Sequence, residues 1–451
     1  MESLPTETLY EIFQWAHLTA QQALKLTNKY FYGLVAQPYA EFLEFGAEHG
    51  ILKYCIVGLN RGEDSRSVCR LAASRGHLEI LQWARSRGCP WNELVCHDAA
   101  EHGHLKILRW VRSQGCPWNK YTCAQAAGNG HLEILQWLRG VLDFPDPNQS
   151  GKITSERNEN TICPWNADTC IYAASQGHLE ILQWARSQNC PWNERTCAWA
   201  AKNGHLKVLQ WVHENGCPWN ERTCAFAAEN GHLKVLQWAY ENGCPWNKYT
   251  CTQAAGHGHL EILVWARSQG CPWDVSTCAQ AAGSGHLKVL QWARGALNFP
   301  DLKQSGEITP GQNENTVCPW DEYTCSHAAE GGHLDTLIWA HENGCPWGEW
   351  TCAMAAKHGH LDILQWAHEN GCPWNEYTCM QAAGSGHLEI LQWAMAHGCP
   401  WDKWVCIYAA NNDHLEVLQW ACENGCSWNP STAKISKYSP TIQDYIKSLR
   451  G

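Results

Sequence analysis

The sequence predicts an all-α fold, a solenoid of stacked helix pairs preceded by a small helical segment. Three observations predict it. First, Gly-His-Leu recurs with its histidine at His77, His104, His131, His178, His205, His232, His259, His286, His333, His360 and His387, and Asp413-His414-Leu415 is a twelfth copy. The step is 27 residues, except from His131 to His178 and from His286 to His333, where it is 47. Second, 28 Trp and 26 Cys stand against 7 Phe and 4 Met in 451 residues, the mark of one unit copied many times. Third, each unit holds two helical stretches too short to be stable alone in water. Stability must then come from stacking one pair on the next. At roughly 8–10 Å per packed layer, twelve units predict a stack on the order of 100 Å.

Charge and composition exclude several classes. Net charge is −11, which gives no basic footprint for DNA or RNA. Charged residues make up 17% and hydrophobic ones 45%, against a disordered chain and in favour of a packed core. No apolar run approaches the roughly 20 residues needed to span a bilayer. The start, Met1 to Tyr10, lacks the charged-then-apolar layout of a signal peptide. The expected location is therefore a reducing compartment, cytoplasm or nucleus, with the cysteines as thiols.

Residues 1–40 do not follow the period. Leu4-Pro5-Thr6-Glu7-Thr8-Leu9-Tyr10-Glu11-Ile12-Phe13 carries an early Pro and a helical apolar pattern. A polar break, then Leu24 and Leu26, lead to Asn28-Lys29-Tyr30-Phe31-Tyr32-Gly33-Leu34. This resembles an F-box, although Phe31 and Tyr32 stand where that family often has Trp. The resemblance implies binding of Skp1 and attachment to a Cullin–RING ubiquitin ligase. The contact residues it implies are Leu4, Pro5, Leu9, Ile12 and Phe13. The plainer alternative is an amphipathic helical cap on the array. Residues 41–64 follow as a degenerate capping repeat, with Gly50 to Gly62 copying the spacing from Gly76 to Gly88.

Residues 65–430 hold the twelve repeats. In the unit that starts at Trp219, the first helix is expected to begin at Thr223 as its cap. It runs through Cys224, Ala225, Ala227 and Ala228 and stops at Gly231, a left-handed C-cap. The second begins near His232, presents Leu233, Val235, Leu236 and Trp238, and ends at Gly243. Cys244-Pro245-Trp246-Asn247 is the extended connector. The string Thr-Cys-Ala-x-Ala-Ala-x-x-Gly-His-Leu-Glu, continued to Gly-Cys-Pro-Trp-Asn, resembles an ankyrin repeat. Ankyrin repeats have a period near 33. The missing residues fall where that family places its β-hairpin finger, so the resemblance implies shortened hairpins and almost no strand. Repeats of this length together with an F-box resemble proteins of large amoeba-infecting DNA viruses and of some protists.

The two long steps contain related inserts, at about 140–159 and about 295–314. Arg139-Gly140-Val141-Leu142-Asp143-Phe144-Pro145-Asp146 matches Arg294-Gly295-Ala296-Leu297-Asn298-Phe299-Pro300-Asp301, which points to a duplicated five-repeat block. Their Gly, Pro, Ser and Asn content reads as loop, with docking as the alternative. Residues 431–451 form a C-terminal cap. A helix opens at Ser431-Thr432, and another at Ser439-Pro440 with Ile442, Tyr445, Ile446 and Leu449 on its apolar face.

No catalytic motif is found, and no Cys or His stands apart from its near-copies, so no enzyme is expected. No cofactor is expected either. The cysteines lack the C-x₂₋₄-C spacing of structural zinc sites, apart from Cys422 and Cys426, and are read as buried small hydrophobes. A zinc ladder with the repeat histidines, or disulfides, are the sharper alternatives. The Trp ladders of the second helix (Trp83, Trp110, Trp137) and of the connector (Trp91, Trp118, Trp165) are read as packing rather than as stacking surface for single strands. The histidines are expected to bond to a neighbouring repeat's backbone.

Recognition is expected where the repeats differ from one another. One variable row follows the Thr-Cys pair by two residues: Gln125, Tyr172, Trp199, Phe226, Gln253 and Met354 are its candidates. A second row precedes the Thr and supplies Tyr323, Trp350, Tyr377 and Trp404. Tyr, Trp, Arg and Met are frequent interface residues; drift at tolerant surface sites is the competing explanation. The expected protein is a monomeric adaptor that binds a protein target, with Skp1 as second partner and with neither nucleic acid nor membrane. The alternative is a scaffold or decoy that binds a host protein without ubiquitination.

Overall fold

The connector asparagine begins each helix pair. In the unit around Thr223, Asn220 sits in extended backbone and its side chain accepts a hydrogen bond from the backbone N–H of Arg222. Asn92, Asn119, Asn193, Asn247 and Asn375 cap in the same way, as do Asp274, Asp321 and Asp402. The expected threonine cap is therefore wrong by three positions. Asn and Asp reach the free N–H groups as well as Thr does, and they stand where the extended Cys-Pro-Trp segment turns into helix. Thr223 lies one turn in, fully buried, and its hydroxyl has no hydrogen-bond partner.

The structure is a computed structural model that describes residues 47, 49–50, 67–141, 162–297, 317–426 and 437–449. These residues contain 25 α-helices and no strand. The fold is an all-α array of ankyrin-like helix pairs, and the connectors contain no hairpin. The first helices are α1 (Val68–Arg75), α3 (Glu93–Glu101), α5 (Lys120–Gly128), α7 (Ala167–Ser175), α9 (Glu194–Lys202), α11 (Glu221–Glu229), α13 (Lys248–Gly256), α15 (Val275–Gly283), α17 (Glu322–Glu330), α19 (Glu349–His358), α21 (Glu376–Gly384) and α23 (Lys403–Asn411). The second helices are α2 (Leu78–Ser86), α4 (Leu105–Ser113), α6 (Leu132–Leu138), α8 (Leu179–Ser187), α10 (Leu206–Glu214), α12 (Leu233–Glu241), α14 (Leu260–Ser268), α16 (Leu287–Ala293), α18 (Leu334–Glu342), α20 (Leu361–Glu369), α22 (Leu388–Ala396) and α24 (Leu415–Glu423). The F-box-like residues 1–40, most of the capping repeat 41–64, and most of each insert lie outside the described residues.

The chain divides into two compact units: residues 1–173 with 180–191, and residues 174–179 with 192–451. In the first unit α1 packs on α3 and α3 on α5. In the second the first helices pack in succession from α9 to α23. The paired alanines make this possible: Ala227 and Ala228 are fully buried, as are their equivalents throughout both units. Small side chains let short helices approach closely. The second helices bury Leu and Ile or Val, as at Leu236 and Val235.

The turn between the two helices is held by a glycine with a histidine laid over it. Gly204 has φ +75, and a Cβ there would lie 2.7 Å from Cε1 of His232. The same packing starts at Gly50 under His77, which places a repeat-like turn ahead of α1. Where the glycine is lost the chain still adopts positive φ, at Asp413 (64°) and, after a second helix, at Asn189 (60°). Asp and Asn are the L-residues that tolerate this region best.

The C-terminal helix α25 (Pro440–Ser448) starts at Ser439, whose hydroxyl accepts from the N–H of Ile442. Ile442 and Ile446 are buried, but Leu449 is exposed, against the expected apolar face. Leu449 is the cap residue after Ser448, still in helical backbone with its N–H bonded to the Tyr445 carbonyl.

Candidate functional site

The periodic side chains are structural in each case. His104 Nε2 lies 3.0 Å from the carbonyl of Ser74, His131 3.0 Å from that of Glu101, His259 3.0 Å from that of Glu229, and His387 3.1 Å from that of Lys357. A carbonyl only accepts, so Nε2 carries the proton and donates. Each bond reaches back 30 residues and ties one repeat to the one before it. Burial holds the imidazoles of His104, His232 and His286 below the ordinary histidine range. The expected bond to a neighbouring backbone is what the structure shows.

Cysteine partners were not legible from spacing. Cys224 meets Cys244, 20 residues on, rather than Cys217, seven residues before. The connector thiols also donate to the backbone, Cys217 Sγ to the Asn193 carbonyl at 3.4 Å. Burial pushes the Cys69 thiol up to about 12. The hydrogen bond to Cys244, and then burial, push Cys224 up as well. Such thiols stay protonated and make poor nucleophiles or metal ligands. Among the described residues no group of three or more His, Cys, Asp or Glu is placed to hold a metal ion. Thiols are not universal: in the last repeat the equivalent pair, Cys406 and Cys426, is joined as a disulfide.

The two Trp ladders pack on each other edge to face. Trp246 of one connector meets Trp265 of the next second helix at 5.9 Å and 65°. Trp118 meets Trp137 at 6.0 Å. A residue near the end of the second helix covers the connector ring: Arg112 stands 3.7 Å above Trp118, Tyr240 stacks at 4.2 Å on Trp246, and His368 at 4.0 Å on Trp374. These rings are consumed by packing.

The two variable rows behave differently. Of the candidates in the row inside the first helix, Gln125, Trp199, Phe226, Gln253 and Met354 are half-buried and Tyr172 is exposed. Trp199 touches Phe226 edge to face at 6.5 Å, so part of this row is spent on contacts between repeats. The row at the second position of the first helix is exposed. Tyr323 is 56% exposed, Trp350 48%, Tyr377 46% and Trp404 44%. Tyr249, at the same position of its repeat in this variable row, is 57% exposed. The cap fixes this geometry. Asn or Asp accepts the second residue's N–H, so that side chain projects from the helix mouth, while the following Thr turns inward and is fully buried.

Among the described residues no helix is long and apolar enough to cross a membrane. The repeated helix pair and the inter-repeat bonds together define a helical repeat protein. A family model of ankyrin repeats in three copies matches residues 352–432, and one of many copies matches residues 197–239. These stretches are ankyrin repeats, which serve as protein-binding scaffolds. Among solved structures, the human ASB11 ankyrin repeat domain is similar at 15% identity and a TM-score of 0.29, over 40% of this chain and 85% of that one. No curated protein matches.

Proposed function

We propose that the chain is a non-catalytic adaptor that captures a protein target on the exposed row of the first helices. The observation that carries this reading is the run of large aromatics at one position of successive repeats, Tyr323, Trp350, Tyr377 and Trp404, each more than two-fifths exposed. Burying such side chains costs little conformational entropy and gains large contact area, which is why they anchor interfaces. Residues 1–40, with Leu4, Pro5, Leu9, Ile12 and Phe13, would recruit Skp1, and the array would hold the target for ubiquitin transfer in the cytoplasm or nucleus. The chain then contributes proximity rather than chemistry.

Co-purification tests both halves. The full chain and a chain lacking residues 1–40 are each mixed with Skp1. Binding by the full chain alone supports the adaptor; failure of the full chain to bind removes Skp1 and leaves a scaffold or decoy. Alanine at Tyr323, Trp350 and Tyr377 is expected to abolish target capture without changing Skp1 binding.

A further inference from the structure

The rings of the exposed row do not all have the same neighbours. Beside Tyr121 and Tyr249 the preceding lysine supplies a cation from the chain itself. Lys120 Nζ stands 5.1 Å from the Tyr121 ring centroid, and Lys248 Nζ 6.0 Å from that of Tyr249. A carboxylate completes the second pair, with Asp274 at 2.7 Å from Lys248. The same assembly recurs further along the first helices: Lys202 Nζ lies 5.2 Å from the Phe226 ring and 3.3 Å from the Glu229 carboxylate. Ring, cation and carboxylate thus meet in a three-part contact twice, once on the exposed row and once on the half-buried row.

On α17, α19 and α21 the contact is incomplete. The residue before the ring is Glu322, Glu349 or Glu376, all exposed, beside Tyr323, Trp350 and Tyr377. Among the described residues no cation stands over these three rings, and none of the three carboxylates is in an ion pair. The Glu349 carboxylate accepts from the Asn375 side-chain amide, which leaves its charge uncompensated. Trp350 and Tyr377 lie 6.0 Å apart at 29°, stacked on one another so that their outer faces and edges stay open. Among the described residues, rings and carboxylates are present three times in succession without a cation beside them. The chain's net charge of −11 has the matching sign.

We infer that this stretch binds an extended basic protein segment that carries Arg or Lys at every second or third residue. This rests on the protein-binding reading above and adds the chemistry of the partner. The spacing follows from geometry: the rings of neighbouring repeats stand 6.0 Å apart at Trp350 and Tyr377, packed helix layers repeat about every 8–10 Å, and two to three residues of extended chain cover about 7–10 Å. Each guanidinium or ammonium would lie against one ring and one carboxylate, where cation–π and charge-assisted contacts reinforce each other. The flat Arg head suits the Trp350–Tyr377 pair better than Lys does.

Fluorescence anisotropy on the full chain tests this with a labelled peptide of repeated Arg-Ser-Thr. The expected result is binding that weakens with salt, and no binding of the Glu-Ser-Thr equivalent. Trp350→Ala is expected to weaken it about tenfold. Glu349→Lys, which places a lysine beside the ring as Lys248 stands beside Tyr249, is expected to weaken it at least as much. Since all these side chains are exposed, circular dichroism and Tm should be unchanged, and Glu322→Gln, Glu349→Gln and Glu376→Gln together replace Trp350→Ala should that variant not fold. Equal binding of the Glu peptide, or binding unaffected by the variants, overturns the inference. Selection of random displayed peptides separates it from the parent reading. Selected peptides that are lost on alanine at Tyr323, Trp350 and Tyr377 but are not basic would overturn only the partner chemistry. Peptides indifferent to those alanines would overturn the face itself.

Discussion

Trp350 and Thr351 are consecutive, yet one is 48% exposed and the other fully buried. The same contrast separates the two ends of every first helix. At the far end a glycine and a histidine lock each turn to the repeat before it. At the near end one side chain is thrown outward and differs from repeat to repeat. The buried and the exposed residue, one for the fold and one for the proposed recognition, are therefore adjacent letters of one unit, and the cap decides which letter faces which way. A protein built like this can change its partner without disturbing its stack.

The contrast is sharpest, and most easily broken, in the interior. Leu236→Ala removes a fully buried side chain and is expected to cost about 2–5 kcal/mol. Urea unfolding reads it, against Tyr249→Ala, which should stay within about 0.5 kcal/mol. Glycines come next. At Gly204 a new Cβ meets both a positive φ and the His232 ring, so Gly204→Ala should cost about 3 kcal/mol. At Gly243 the φ is +82 but nothing lies within 4 Å, so Gly243→Ala should cost about 1 kcal/mol. Equal costs would show that the histidine seam adds nothing.

The caps separate two assignments of the helix start. Asn220→Ala is expected to lose about 1 kcal/mol. Thr223→Val keeps the shape and removes a buried hydroxyl without a partner, so it should be neutral or stabilising within about 0.5 kcal/mol. A larger loss from Thr223→Val than from Asn220→Ala would return the cap to threonine. The shallowest effect is expected from pH. His104, His232 and His286 sit below their unfolded value, chiefly through burial. The unfolded chain then binds protons first as pH falls through about 6.5. Stability should be complete above that value and decline as pH drops through the lowered folded values. Urea midpoints at about pH 7.5 and about pH 5.5 check the sign.

The periodic part of the fold was legible because its physics is local and copied. Gly231, His232 and Gly243 fall where the sequence places them, since only glycine makes a left-handed turn cheaply at both ends. What failed was what depends on a neighbour in space. Thr223 and Asn220 are both good caps on paper, and only the direction of the connector decides between them. Cys224 faces Cys244 because a whole helix lies between them, which spacing along the chain does not reveal. The recognition row was legible as variation. Its lack of cations at Glu322, Glu349 and Glu376 became visible only beside the lysines that fill the same place elsewhere.

The connector offers one more consequence. Arg85 Nη1 donates to the carbonyl of Cys89 at 2.8 Å across an ordinary turn of four residues. Arg139 Nη1 makes the same bond to Cys163, 24 positions further along the chain, at 2.6 Å. Arg294 likewise donates to Cys318. The stack closes over the interruption as though it were absent. Closing a loop grows costlier only slowly, by about 0.6 kcal/mol for each doubling of its length. These two seams are therefore natural splice points, at which a cargo domain or an affinity tag can be carried by the array without a change of register.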